Sequence, residues 1–276
     1  MNTLLLTDLS TFHIIGYLAA ILIGISLGLV GGGGSILTVP VLVYLIGISP
    51  VVSTSYSLFV VGFTSLVGAA TYMRRKLICY RIALLFAGPS FISVFLTRKY
   101  LVPAIPEIVY QNANVEVTKA HFIMVLFAVL MTFASYAMIR QKPLHGYPLP
   151  EQKLVSRRFI VMLGAVLGVL TGTVGAGGGF LIIPALILFA GLEMKTAIGT
   201  SLLIIAINSL IGFTGDISTH QIDWIFLGEF TSLAIAGIIS GTYLSMHVPG
   251  QSLKPAFGWF VLLMGCSIIV KEMFLL

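Results

Sequence analysis

Charge is what this chain has least of: only 9% of its 276 residues are Asp, Glu, Lys or Arg. Soluble domains carry about 25%, so this composition cannot cover a water-facing surface. In place of charge stand 58% hydrophobic residues, and apolar windows recur along the whole length. A bilayer is crossed by about 20 such residues. Alternation of polar and apolar residues is missing as well, as in Phe122–Leu130 (FIMVLFAVL), which excludes a membrane β-barrel. Two cysteines, Cys79 and Cys266, supply neither a disulfide framework nor a metal-ligand spacing. There is no HExxH and no His/Asp/Glu cluster, so a membrane-embedded enzyme has no nucleophile–base set or metal to work with. No cofactor is expected. No Lys or Arg precedes the first apolar run, so Met1–Val30 reads as a retained first membrane segment rather than a cleaved signal peptide.

The apolar segments fall at 12–30, 36–48, 55–73, 82–101, 120–139, 159–174, 180–192, 196–214, 225–246 and 257–276. The net charge of +6 fits cytoplasmic loops rather than nucleic acid, because basic residues collect in such loops. One basic connector holds Arg74, Arg75, Lys76 and Arg81; the other runs from Arg140 to Arg158. Connector 215–224 has two Asp and no Lys or Arg, so it is expected outside, as are both termini. His13, His121, His220 and His247 lie near segment boundaries and His145 in the long connector, where interfacial or solvated roles are expected. The prolines and glycine of that connector divide the chain into a first membrane repeat (1–139), a linker (140–158) and a second repeat (159–276). A shift of 144 residues aligns Val30–Gly68 with Val174–Gly212 without a gap. Thirteen of 39 positions are identical: Val30, Gly31, Gly33, Gly34, Leu37, Pro40, Leu42, Gly47, Ser57, Leu58, Ser65, Leu66 and Gly68. Five segments per half is odd, so the second half is expected upside down. The expected fold is therefore an all-α polytopic membrane protein built from an inverted-topology repeat.

Each half carries a glycine run, LVGGGGSILTVP (29–40) and TVGAGGGFLIIP (173–184). The segment after the first run has 13 residues, about 20 Å of helix at ~1.5 Å per residue, against a hydrocarbon core of ~30 Å. Proline is comfortable in a helix's first turn, so helices are expected to begin near 36–39 and 180–183, inside the membrane. Non-helical backbone at that depth must be buried in protein or line a cavity. Paired short half-helices point to a transporter's binding site. Their N-termini are partly positive and offer free N–H groups to an anion. No central Lys or Arg within the apolar segments competes for that task. Glycine in membrane helices also serves close packing, but two registered copies, each with its proline, favour a site. The GTVGAGGG stretch (172–179) resembles a dinucleotide fingerprint only superficially, since no βαβ unit surrounds it.

These motifs, with KTAIGTSLLIIAINSLIGF at Lys195–Phe213, resemble the sulfite exporter TauE/SafE family, also called the toluene sulfonate uptake permease family. The resemblance covers nearly the whole chain. It implies a bacterial-type inner-membrane transporter of sulfite, sulfoacetate or a related organosulfonate. The matching positions are Gly31–Ser35 with Pro40, Gly175–Gly179 with Pro184, and Gly199–Ser201 with Asn208. The first half departs from the second: Ser55 and Tyr56 replace Gly199 and Thr200, and Thr64 stands at the place of Asn208.

The candidate anion-binding set is Gly32, Gly33, Gly34, Ser35, Ser57, Thr64, Gly177, Gly178, Gly179, Thr200, Ser201 and Asn208. Ser57 and Thr64 are seven apart, as are Ser201 and Asn208, which puts each pair on one helix face. Helix–helix hydrogen bonding is the competing role for such residues. Glu229 is the one acid read as lying well inside a membrane segment, and intramembrane acids are functional candidates by default; it is the proton-coupling candidate. The expected partners are a small anionic substrate and the lipid bilayer, with a homodimer open and no nucleic acid. The expected activity is alternating-access transport of a small sulfur anion. An anion channel, or a carrier of another small anionic metabolite, is the alternative.

Overall fold

The fold follows from where the apolar runs are broken. In a computed structural model, residues 2–112, 115–140, 157–175, 177–217 and 222–275 are described. The centre of the long basic connector, 141–156, lies outside them. Helix α1 (Asn2–Val30) ends at the first glycine run, and α2 (Gly33–Pro40) leads into a π-helical turn, Val41–Leu45. Next come α3 (Pro50–Arg74) and α4 (Tyr80–Leu96), the latter running into a second π-helical turn (Thr97–Leu101) and a one-turn helix, α5 (Val102–Ala104). A hairpin of β1 (Ile108–Asn112) and β2 (Val115–Thr118) leads into α6 (Lys119–Arg140). The second half contains α7 (Arg157–Val174), α8 (Gly179–Leu188), α9 (Met194–Asp216), α10 (Trp224–His247) and α11 (Gly250–Leu275). Among the described residues, six helical stretches are long and apolar enough to cross a membrane: Pro50–Arg74, Tyr80–Ala104, Lys119–Tyr136, Arg157–Val174, Met194–Asp216 and Trp224–His247. The chain is an integral membrane protein of helical, polytopic class.

Local chemistry sets the ends. Pro50 opens α3, where its missing N–H costs nothing. Asp223 caps α10, its carboxylate accepting the N–H groups of Ile225 and Phe226 at 3.1 Å each. Glycines then let helices touch backbone to backbone. A methyl on Gly28 would lie 2.5 Å from the Thr242 nitrogen, which seats α1 on α10. One on Gly168 would lie 2.5 Å from the Ser90 carbonyl oxygen, which seats α7 on α4. Helices α3 and α9 cross in opposite senses: Gly68 faces Leu202, Gly62 faces Leu210, and Leu58 faces Gly212. Helix α8 is apolar all round and entirely buried through Leu186, with Phe180 edge-on to Phe127 of α6 at 5.5 Å.

Three expectations change. The short helices start at Gly33 and Gly179, earlier than expected, and Pro40 and Pro184 lie within them rather than in the first turn. Pro40 is the last residue of α2; lacking the N–H that would reach the Ile36 carbonyl, it stands where the α-helix gives way to the wider π-helical turn. The β-hairpin departs from an all-α architecture; the segment Ile108–Thr118 has β-branched and polar residues outside the apolar runs. Asp216, placed by sequence in an outside connector, is the last residue of α9 and is buried.

Candidate functional site where two broken helices meet

Between α1 and α2 the chain reverses at Gly31–Gly32, and α2 packs back along α1: Gly34 abuts the Ile23 carbonyl and the Leu27 side chain. The second break, at Gly175–Gly178, leads into α8, whose N-cap Gly178 has φ 75°. Such a φ disfavours any residue with a Cβ. The two breaks then touch each other. A methyl on Gly32 would lie 2.5 Å from the carbonyl carbon of Gly179, and one on Gly179 would lie 2.6 Å from the Gly32 Cα. The first turns of α2 and α8 thus meet backbone to backbone, and their leading amides lack partners within their own helices. Ser35 Oγ is 3.2 Å from the place a Gly179 Cβ would take, and it donates to the Gly32 carbonyl at 2.7 Å.

The polar candidates on α3 and α9 are buried alongside. Ser57 and Thr64 are fully enclosed, as are Thr200 and Ser201, and Asn208 is nearly so. Their hydrogen bonds divide them. Thr64 donates to the Val60 carbonyl at 2.6 Å and Ser201 to the Ile198 carbonyl at 2.8 Å, each within its own helix. Thr200 accepts the Cys79 backbone N–H at 3.0 Å, tying α9 to the start of α4. Asn208 donates through Nδ2 to Ser90 Oγ at 2.7 Å, while its Oδ1 has no partner. Ser57, Ser65 and Ser209 hydroxyls are also buried without partners. The Ser209 Oγ lies 2.6 Å from the position of a Gly177 Cβ, directly against the second break. Gly33 is the first residue of α2. Buried hydroxyls are ordinarily paired, so these open donors and acceptors on α3 and α9 are candidates for contact with a polar ligand.

Glu229 does not join this group. It is exposed on α10 and accepts the Tyr17 hydroxyl from α1. The buried acids lie elsewhere. Glu272 on α11 accepts the Tyr44 hydroxyl at 2.6 Å, has His121 at 3.9 Å, and lies next to Lys271, whose Nζ is 3.8 Å from the centre of the Tyr44 ring. Asp216 pairs with Arg98 at 3.1 Å, and Arg98 is only 1% exposed. A buried arginine therefore does exist inside the bundle. Its neighbours in sequence, Lys99 and Tyr100, give it the look of an interfacial anchor. The 144-residue shift places Asp216 opposite Tyr72, near the end of α3, so the repeat gave no signal that either charge is enclosed.

Membrane-length helices with paired breaks, joined through backbone at the centre of a bundle, define a polytopic membrane protein with discontinuous helices. The chain belongs to the sulfite exporter TauE/SafE family, whose model matches residues 16–268. Membership makes it a membrane transporter. It is similar to a "probable membrane transporter protein" of Xylella fastidiosa strain 9a5c, with 28% identity over 91% of this chain and 92% of that one. In Bacillus subtilis strain 168 it is similar to the "probable membrane transporter proteins" YunE, at 24% identity, and YdhB, at 28%. These matches cover 89% and 87% of this chain and 93% of each relative. No solved structure matches it.

Proposed function

We propose that the protein is a secondary transporter that moves a small sulfur oxyanion or organosulfonate by alternating access. The anion is held where α2 and α8 present their N-termini to each other. The observation that carries this reading is the backbone contact between Gly32 and Gly179, with the unpartnered Ser209 hydroxyl against Gly177 of the second break. Converging helix N-termini favour negative charge, and buried hydroxyls and amide groups complete an anion's hydrogen-bond shell. An inverted repeat is supported by the opposed crossing of α3 and α9, the two helices that the 144-residue shift equates. The same shift relates α1 to α7 and α10 to the stretch from α4 to α5, and the contact of α1 with α10 has its counterpart in that of α7 with α4.

The test combines binding and flux. Sulfite, sulfoacetate, thiosulfate and sulfate are titrated into purified protein and thermal unfolding is followed. The anion that stabilises it is then offered to proteoliposomes. Saturable uptake accelerated by the same anion on the opposite side is expected. Uptake that rises linearly with concentration and shows no such acceleration would replace the carrier by a channel.

A further inference from the structure

Arg98 is 1% exposed, and its guanidinium is only half used. Nη1 donates to Asp216 Oδ2 at 3.1 Å and to Thr54 Oγ1 at 3.0 Å. Ser55 Oγ donates to the same Asp216 oxygen at 2.6 Å. The Nε and Nη2 groups, which form the other edge of the fork, have no partner. That edge faces the second glycine break: a Cβ on Gly175, where φ is 74°, would collide with Nη2. An ion pair serving only to clamp helices has no use for two enclosed, unpaired donors. The corresponding positions at the first break carry no such charge. Under the 144-residue shift Arg98 corresponds to Thr242 and Asp216 to Tyr72. Thr242 donates to the Ile238 carbonyl at 2.6 Å, and Tyr72 shares a 2.9 Å hydrogen bond with Ser245.

We infer that the Nε–Nη2 edge of Arg98 is the charged element of an anion site at the Gly175 break, shaped for two oxygens of a sulfonate, sulfite or like oxyanion. The inference rests on the anion-carrier reading and adds to it an asymmetry: the anion is bound at the second break, not equally by both. Planar fork-to-oxyanion pairing is the geometry for which arginine differs from lysine. Asp216 and Thr54 hold Nη1 and so fix the direction of the free edge. Because Arg98 is enclosed, the anion reaches it when the break shifts, as alternating access requires.

The experiment measures sulfite and sulfoacetate affinity of the full purified chain by calorimetric titration, with monodispersity and unfolding temperature as checks on folding. Arg98→Lys keeps a cation for Asp216 but removes the fork, and at least about 10-fold weaker binding is expected. Arg98→Met combined with Asp216→Asn removes both charges together, so no buried ion is left unpaired; here the loss should reach about 100-fold. If the paired substitution does not fold, Arg98→Lys decides alone. A folded variant of either kind that binds like the parent overturns the assignment of Arg98 and leaves the carrier reading standing. If the parent protein binds neither anion, both fall together.

Discussion

At the scale of single residues, the glycines separate into different tasks. Gly178 is needed for its backbone: φ is 75°, and a methyl there would strike the Thr171 Cγ2. Gly228 on α10 has nothing within 4 Å of the position its Cβ would take. Gly178→Ala should therefore destabilise the protein by at least about 1 kcal/mol in thermal unfolding, the cost of a left-handed conformation for an L-residue. Gly228→Ala should be neutral or slightly stabilising. Adding Thr171→Ser to Gly178→Ala removes the obstructing methyl and should recover part of the loss; no recovery would mean that backbone strain alone sets it. The position of Glu229 leads to a second expectation. Exposed on α10 and bonded to Tyr17, it lies on the outside of the bundle. Glu229→Gln should leave the pH profile of proteoliposome uptake unchanged, whereas a flattened profile would make it the proton-coupling residue.

At the scale of elements, the π-helical turn after Pro40 carries Tyr44 to α11. The Tyr44 hydroxyl supplies the hydrogen bond to a carboxyl that is 4% exposed, so Tyr44→Phe leaves Glu272 short of a buried donor. Thermal unfolding should show a loss of about 1–3 kcal/mol. Glu272→Gln keeps an acceptor for Tyr44 and should cost less; the reverse order would show that the charge, not the hydrogen bond, matters there. The broken helices were readable in sequence because glycine and proline punctuate apolar runs in a way hydropathy does not hide. Their start points were not, because Gly33 and Gly179 enter a helix despite low propensity. Arg98 and Asp216 were hidden for a different reason. Each stands at the end of an apolar segment, where a charge ordinarily reaches water, and it is tertiary packing, with α3 and the Gly175 break among the neighbours, that encloses both. The pairing of Thr200 with the Cys79 amide was likewise out of reach, since it joins segments 121 residues apart.

At the scale of the whole molecule, the proposed inversion of the repeat makes a prediction about sides. Ser49 precedes α3 and Glu193 precedes α9, and both are exposed. In a variant lacking Cys79 and Cys266, single cysteines at Ser49 and Glu193 should react with an impermeant maleimide from opposite faces of the membrane. Reaction from one face would rule the inversion out. The contact of Gly32 with Gly179 has a consequence for how such a sequence can change over time. Each residue leans on the main chain of the other, not on its side chain. Neither can accept a larger residue in exchange for trimming its neighbour, because the neighbour has nothing left to trim. In a library randomised at both positions, functional clones should keep glycine at each site independently. This meeting of the two halves would then leave no trace as correlated substitution, and a point where they are joined main chain to main chain would be silent to covariation.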